Sequence, residues 1–245
     1  MAAQIFYEGV EVRRLIKSLK SRIAKLIVNR FLTDTRIAEN SDRQKFFFNA
    51  FKLLSFNGID GDYFEFGCRG GRSLALAYHE ANKFKHGAHF FAFDSFEGLP
   101  EGTSDKDYHP VWTKGKMKSS IDTFHKHCRT KKIPTEKYTA IKGFFSDSLF
   151  GDDAETLPAN VAFVYVDCDM YSSTVDVFRF LEGRLKNGMI IAFDDYFCIS
   201  ATQLSGERKA MLEVFKNNAE WSLLPYLPFG FAGLSFIVEK KSLLE

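Results

Sequence analysis

No apolar stretch of the 245-residue sequence approaches the roughly eighteen residues that a membrane-spanning helix needs. Cysteine is scarce: Cys68, Cys128, Cys168 and Cys198 stand far apart. They form no CxxC pair, so neither a zinc knuckle nor a disulfide framework is indicated. Free thiols suit a reducing compartment, and the N-terminus lacks the short apolar block of a secretory signal, so a cytoplasmic location is expected. An excess of one charge is also missing. The formal net charge is +2, and nothing global points to nucleic acid.

Apolar residues make up 45% and charged residues 26%, an ordinary balance for a globular chain long enough for one large α/β domain with an appendage. Phenylalanine is abundant, with 27 copies expected to fill core positions that other proteins give to leucine. From Met1 to Arg30 seven basic residues face only Glu8 and Glu11. Apolar Leu15, Ile16, Leu19, Ile23, Leu26 and Ile27 recur there near helical spacing and predict a helix over Val10–Val28. Its apolar stripe is expected on the core or on another copy of the chain, in a homo-oligomer; contact with an anionic membrane surface is the less favoured reading. A second helix is expected from Ser41 to Ser55, capped by Ser41 or Asp42, with Asn57-Gly58 breaking the chain. Residues 1–57 therefore read as a helical cap or lid, and 58–245 as one domain.

Beyond the break, strands alternate with helices. The strand candidates are Tyr63–Phe66, Ala88–Phe93, Tyr138–Ile141, Val161–Val166 and Met189–Phe193, all short apolar runs of the kind buried in parallel sheets. Helices are expected at Arg72–Lys85, Ser119–Lys131, Thr174–Leu185 and Glu207–Asn217, with last strands at Trp221–Leu224 and Leu234–Val238. This pattern predicts an α/β fold with a doubly wound, mostly parallel sheet, whose ligands bind beyond the carboxyl ends of the strands.

Chemistry-bearing residues fall at those ends. The first strand runs into Glu65-Phe-Gly67-Cys-Arg-Gly70-Gly71-Arg-Ser73, a turn whose glycines let the backbone approach a ligand closely before a helix N-terminus. The second ends in Asp94, 23 residues beyond Gly71, about where an acid reaches the ribose hydroxyls of an adenosine cofactor. Asp94 opens a turn with Ser95, and the third strand ends near Asp147, where a side chain would meet the adenine. The loop is neither GxGxxG nor a P-loop, which argues against dinucleotides and ATP. Strand four ends in Asp167-Cys-Asp169 and strand five in Asp194-Asp195-Tyr196. Neighbouring strands lie about 4.8 Å apart, so four carboxylates would crowd one space. Such crowding is costly unless a cation neutralises it, and oxygen-only donors select magnesium or manganese.

These motifs resemble the macrocin O-methyltransferase family, whose members methylate sugar hydroxyls. The resemblance covers roughly Gly61 to Val238. It rests on Glu-Phe-Gly-x-x-Gly-Gly (65–71), Asp-Ser-Phe-Glu-Gly-Leu-Pro (94–100), Asp-x-Asp-x-Tyr-x-Ser-Thr (167–174) and Asp-Asp-Tyr (194–196) in that order. It implies a Rossmann-like methyltransferase domain that uses S-adenosylmethionine and magnesium, with manganese as the other candidate ion. By this resemblance Asp167, Asp194 and Asp195 hold the metal and Asp169 is the general base, with Asp167 beside it in the catalytic group. Glu65, Gly67 and Asp94 match cofactor positions; Gly70, Gly71, Ser73, Ser95, Asp147 and Asp167 complete the expected cofactor shell. The acceptor is expected to be a small molecule or glycan offering vicinal hydroxyls. The segment Glu101–Lys118, with Tyr108, His109 and Trp112, departs from the family's pattern. Two other readings stay open: a glycosyltransferase that uses Asp167-x-Asp169 to hold a metal and a nucleotide sugar, and methylation of a catechol-like acceptor.

Overall fold

The computed structural model describes residues 17, 19–26, 34–151 and 156–244. The chain divides into two compact units, Met1–Asp42 and Arg43–Glu245. In the first, residues 19–26 are helical, with Leu19, Ile23 and Leu26 exposed; the rest of the helix expected over Val10–Val28 lies outside the described residues, apart from Lys17. Among the described residues no helix is long and apolar enough to cross a membrane.

Helix α1 (Thr35–Phe56) starts well before the expected Ser41. Asp34 explains the difference. Its side chain accepts from the Ile37 N–H at 3.4 Å and its carbonyl accepts from Ala38 at 3.1 Å, so Asp34 meets the first-turn donors, and Ser41 and Asp42 fall inside the helix. Further along, Phe46, Phe47, Ala50, Phe51 and Leu54 recur on one face and are buried.

That face covers a seven-stranded sheet of β1 (Asp62–Phe66), β2 (Phe90–Asp94), β3 (Tyr138–Lys142), β4 (Val161–Val166), β5 (Ile190–Phe193), β6 (Trp221–Phe229) and β7 (Gly233–Lys240), in the order β3-β2-β1-β4-β5-β7-β6. The first five strands are parallel, and β7 runs antiparallel to both neighbours. Every residue of β4 and β5 is buried, which is why these strands read as unbroken apolar runs. Helices α2 (Arg72–Lys83), α3 (Ile121–Thr130), α4 (Phe145–Ser148), α5 (Tyr171–Leu181) and α6 (Gly206–Phe215) complete the layers.

Side chains alternate between two cores. Tyr63, Phe163 and Tyr165 join the α1 side, while Phe64, Phe66, Val164, Val166, Ile191 and Phe193 meet Phe178 and Phe180 of α5. Phenylalanine does fill these cores: Phe46 stacks on Phe229 at 4.1 Å between ring centroids, and Phe66 on Phe93 at 4.7 Å. Strand β6 extends well past the expected Leu224 in spite of Pro225 and Pro228. It is an edge strand, where a missing N–H is tolerated, and its register slips between the two prolines.

The strand order reverses between β1 and β4. Their carboxyl ends, at Phe66 and Val166, mark the crevice where a sheet of this kind takes its ligands.

Candidate active site

The sheet's hydrogen bonding continues one residue past these strands and aligns the loops that leave them. Gly67 N–H donates to the Phe93 carbonyl at 2.8 Å, Asp167 to Phe66 at 2.8 Å, and Asp194 to Val166 at 2.9 Å. Gly67 is thereby pressed against Asp167. A Cβ on Gly67 would lie 1.7 Å from the Asp167 carbonyl oxygen, and φ is +93°, so only glycine lets the chain turn here.

The glycine turn is fastened from two sides. Asp94 accepts from the Arg69 N–H and the Phe96 N–H, both at 2.6 Å, tying this turn to the one after β2. Burial raises the Asp94 carboxyl above its usual range, and these two donors work against that rise. Glu65 is fully buried beneath the turn, where it accepts from Ser73 Oγ at 2.7 Å and from the Tyr63 hydroxyl at 2.5 Å. Burial pushes Glu65 up to about 7 although both hydroxyls lower it. Gly71 caps α2 with φ +74°, and a Cβ there would meet the Phe124 ring at 2.9 Å. The space around Gly70 is open: a Cβ would come no nearer than 3.8 Å to Ser119. Ser95 shapes its own turn by donating to the Gly98 carbonyl at 2.8 Å. Asp147 is exposed on α4, away from the buried acids and within electrostatic reach of Asp176.

The four acids expected at the ends of β4 and β5 do converge. Burial raises the Asp167 carboxyl well above its ordinary range, and Asp194, Asp195, Asp169 and Glu207 raise it further. Asp169 and Asp195 are both raised, again by burial first, and share a hydrogen bond between their carboxyl groups. Asp169 also has φ +64°, a left-handed conformation that aspartate tolerates better than most residues. Asp194 faces elsewhere: Arg43 clamps it through Nε to Oδ1 at 3.0 Å and Nη2 to Oδ2 at 2.8 Å, and the Tyr165 hydroxyl adds 2.5 Å to Oδ1. Burial alone would lower the Arg43 pKa, but the hydrogen bond and charge of Asp194, together with Tyr165, more than offset it, so the guanidinium stays charged.

Among the described residues no three His, Cys, Asp or Glu side chains already form a metal cage. The turning of Asp194 toward Arg43 and Tyr165 accounts for part of that. The donor chemistry nevertheless suits a hard divalent cation, because the group offers oxygens only, and the burial and mutual repulsion that raise Asp167, Asp169 and Asp195 are what a cation would relieve.

Several contributors were not legible in the sequence. Arg43 sits in the polar stretch Ser41–Lys45 of a helix, and Tyr165 inside an apolar strand. Glu207 reads only as a helix start, yet it is fully buried and its carboxylate accepts from the N–H groups of Cys168, Asp169 and Asp195. The one available hint was Glu65: a charged residue within an otherwise apolar strand candidate.

The divergent segment 101–118 forms a wall beside Asp169. His109 stacks on Trp112 at 3.9 Å between ring centroids. Buried Asp107 accepts from Ser172 N–H at 2.8 Å and binds the segment to the start of α5. Together with Lys106, Gln203 and Ser205, this stacked pair lines a pocket that opens onto Asp169.

Comparisons with known proteins bear on the family and the fold. The chain is 30% identical over 158 residues to a Streptomyces olivaceus 8-demethyl-8-(2,3-dimethoxy-alpha-L-rhamnosyl)-tetracenomycin-C 4'-O-methyltransferase, covering 57% of this chain and 54% of that protein. It is 28% identical over 163 residues to a Micromonospora griseorubida mycinamicin III 3''-O-methyltransferase, covering 59% and 58%. The matched region thus spans little more than half the length of these relatives. The fold matches the O-methyltransferase NovP, with TM-score 0.65, 18% identity and coverage of 81% and 80%, and the calicheamicin methyltransferase CalS11, with TM-score 0.65, 21% identity and coverage of 87% and 85%. Residues 38–219, which include every motif described above, match the family profile as well, and the chain belongs to the macrocin-O-methyltransferase (TylF) family.

Proposed function

We propose that the chain is an S-adenosylmethionine-dependent O-methyltransferase that methylates a hydroxyl of a sugar or glycoside with the help of a divalent cation, magnesium by preference. The observation that carries this reading is the convergence of Asp167, Asp169, Asp194 and Asp195 beside the Gly67 turn at the switch in strand order. A solved relative by fold, an O-methyltransferase from Bacillus cereus at 15% identity and TM-score 0.56, was obtained in complex with SAH, the product of that cofactor. Both curated relatives are named for methylating sugar hydroxyls, which favours a glycoside over a bare catechol.

In this reading Glu65, Gly67 and Asp94 frame the cofactor, and Asp167, Asp194 and Asp195 hold the cation. A divalent cation supplies positive charge that makes a nearby hydroxyl more acidic and lowers the pKa of every carboxylate around it. Asp169 takes the hydroxyl proton on its carboxylate as the oxygen bonds to the methyl carbon. The carbon–sulfur bond breaks in the same step, and S-adenosylhomocysteine leaves. The chain's main contribution is alignment of oxygen, carbon and sulfur, which supplies on the order of 7–11 kcal/mol when geometry is well held. His109 and Trp112, stacked on each other beside Asp169, are the side chains assigned here to contact the acceptor.

The test is methyl transfer from labelled S-adenosylmethionine to a panel of rhamnosides with free vicinal hydroxyls, with magnesium and with a chelator. Label on a sugar oxygen, lost on chelation and in Asp169→Asn, is the expected result. Transfer that persists unchanged with chelator would remove the cation from the mechanism. Absence of transfer together with turnover of a nucleotide sugar would favour the glycosyltransferase.

A further inference from the structure

We infer that Glu207 is the positioning residue of this site: its buried carboxylate clamps the backbones of the two acid-bearing loops and so fixes Asp169 relative to Asp195. The inference rests on the proposed function only for its consequence, since the clamp itself is a matter of backbone contacts. One carboxylate oxygen, Oε1, accepts from Cys168 N–H at 3.1 Å and Asp169 N–H at 3.4 Å. The other, Oε2, accepts from Asp195 N–H at 3.0 Å. A single side chain therefore spans the loops after β4 and β5, which share no other side chain of this kind among the described residues.

The surrounding chain is built to bring Glu207 there. Gly206 approaches the loop so closely that a Cβ on it would lie 2.3 Å from the Tyr171 nitrogen and 2.8 Å from the Met170 carbonyl carbon. Any other residue at 206 would push α6 off the loop and withdraw Glu207. Ser205, fully buried in practice, caps α6 by accepting from Arg208 N–H at 3.2 Å and donates to the Tyr196 carbonyl at 3.1 Å. The start of α6 is thus joined to both loops by three consecutive residues. The left-handed turn at Asp169 is held in part by this clamp, which also reaches Asp195.

Placing a further acid among four others is electrostatically unfavourable, and a neutral residue would fill the space at lower cost. What a carboxylate offers, and an apolar side chain does not, is two acceptor oxygens that hold separate loops at once.

The test compares wild type with Glu207→Gln and Glu207→Leu by three readouts: amide hydrogen exchange across residues 166–170 and 193–197, S-adenosylhomocysteine binding by calorimetry, and Mn2+ binding by electron paramagnetic resonance. Glu207→Leu is expected to speed exchange about tenfold or more in both loops. Glu207→Gln retains one acceptor oxygen and is expected to free one loop while sparing the other. Both variants should weaken Mn2+ binding by about 10–100-fold, the usual cost of losing an outer-shell partner. S-adenosylhomocysteine affinity should stay within about twofold, because Glu65 and Asp94 share no partner with Glu207. Unchanged exchange in both loops would overturn the clamp, and so would equal losses of Mn2+ and S-adenosylhomocysteine affinity, which mark general structural support. If the leucine variant does not fold, the one-loop pattern in Glu207→Gln decides alone. A wild type that binds no Mn2+ would count against the cation in the proposed function, while exchange would still decide the clamp.

Discussion

Glu65 is fully buried and bonded to two neutral hydroxyls, with no cation beside it among the described residues, so its ionisation is set against stability. Its folded pKa of about 7 exceeds the ordinary 4.5. Below pH 4.5 both folded and unfolded chains carry the proton, and the group leaves stability unchanged. Between 4.5 and about 7 the unfolded chain releases it first, so stability falls as pH rises; above 7 the loss is constant, at about 3 kcal/mol. Glu65→Gln should remove the Glu65 share of that slope in the ligand-free protein and leave the share of the other raised acids, Asp167, Asp169, Asp195 and Glu207. Thermal unfolding at intervals from pH 4.5 to 8 checks it, and wild type and variant curves that run parallel would show the account of Glu65 to be mistaken. The glycines make a second residue-scale prediction. Gly67→Ala should cost at least about 3 kcal/mol in urea unfolding or abolish folding, since its Cβ has no room. Gly70→Ala should change stability by no more than about 1 kcal/mol, because the space is open and φ is not left-handed. Comparable losses at both positions would mean that the turn's packing is misjudged. The sequence marked these glycines equally, because a one-letter pattern records that a turn exists but not which glycine carries the close approach.

At the scale of elements, β1 to β5 were legible to within two residues at each end. Burial on both faces leaves a parallel strand an uninterrupted apolar run, and that signal survives without tertiary knowledge. Element ends set by a single cap or an edge position were harder. Asp34 starts α1 from within a polar stretch, and β6 continues through Pro225 and Pro228 because it borders no further strand. Glu207 escaped notice for a different reason: its partners are backbone groups 12 to 39 residues away, and such pairings leave no mark on local spacing. The acids at the strand ends were legible because strand order predicts which ends are neighbours. Helix α6 provides the test at this scale. Ser205→Ala removes a cap and a bond to Tyr196, and should cost about 1–2 kcal/mol in urea unfolding. Stability unchanged within error would mean that α6 is held to the loop after β5 by packing alone.

For the whole molecule, the family assignment and the site rest on the same stretch of chain. The matched residues, 38–219, run from α1 to the end of α6 and take in Arg43, the glycine turn and both acid-bearing loops. Segment 101–118 lies within that match, and several of its residues line the pocket beside Asp169. The motifs within that stretch point to the reaction class and leave the acceptor open. The proposed function requires that this site bind S-adenosylmethionine beside a divalent cation. Titration with S-adenosylhomocysteine, followed by thermal unfolding with and without magnesium, tests it most directly. Ligand at 100 times its dissociation constant should add about 2.7 kcal/mol of stability, with a further rise when magnesium is present. No rise with S-adenosylhomocysteine, alongside a clear one with a nucleotide diphosphate, would contradict the account.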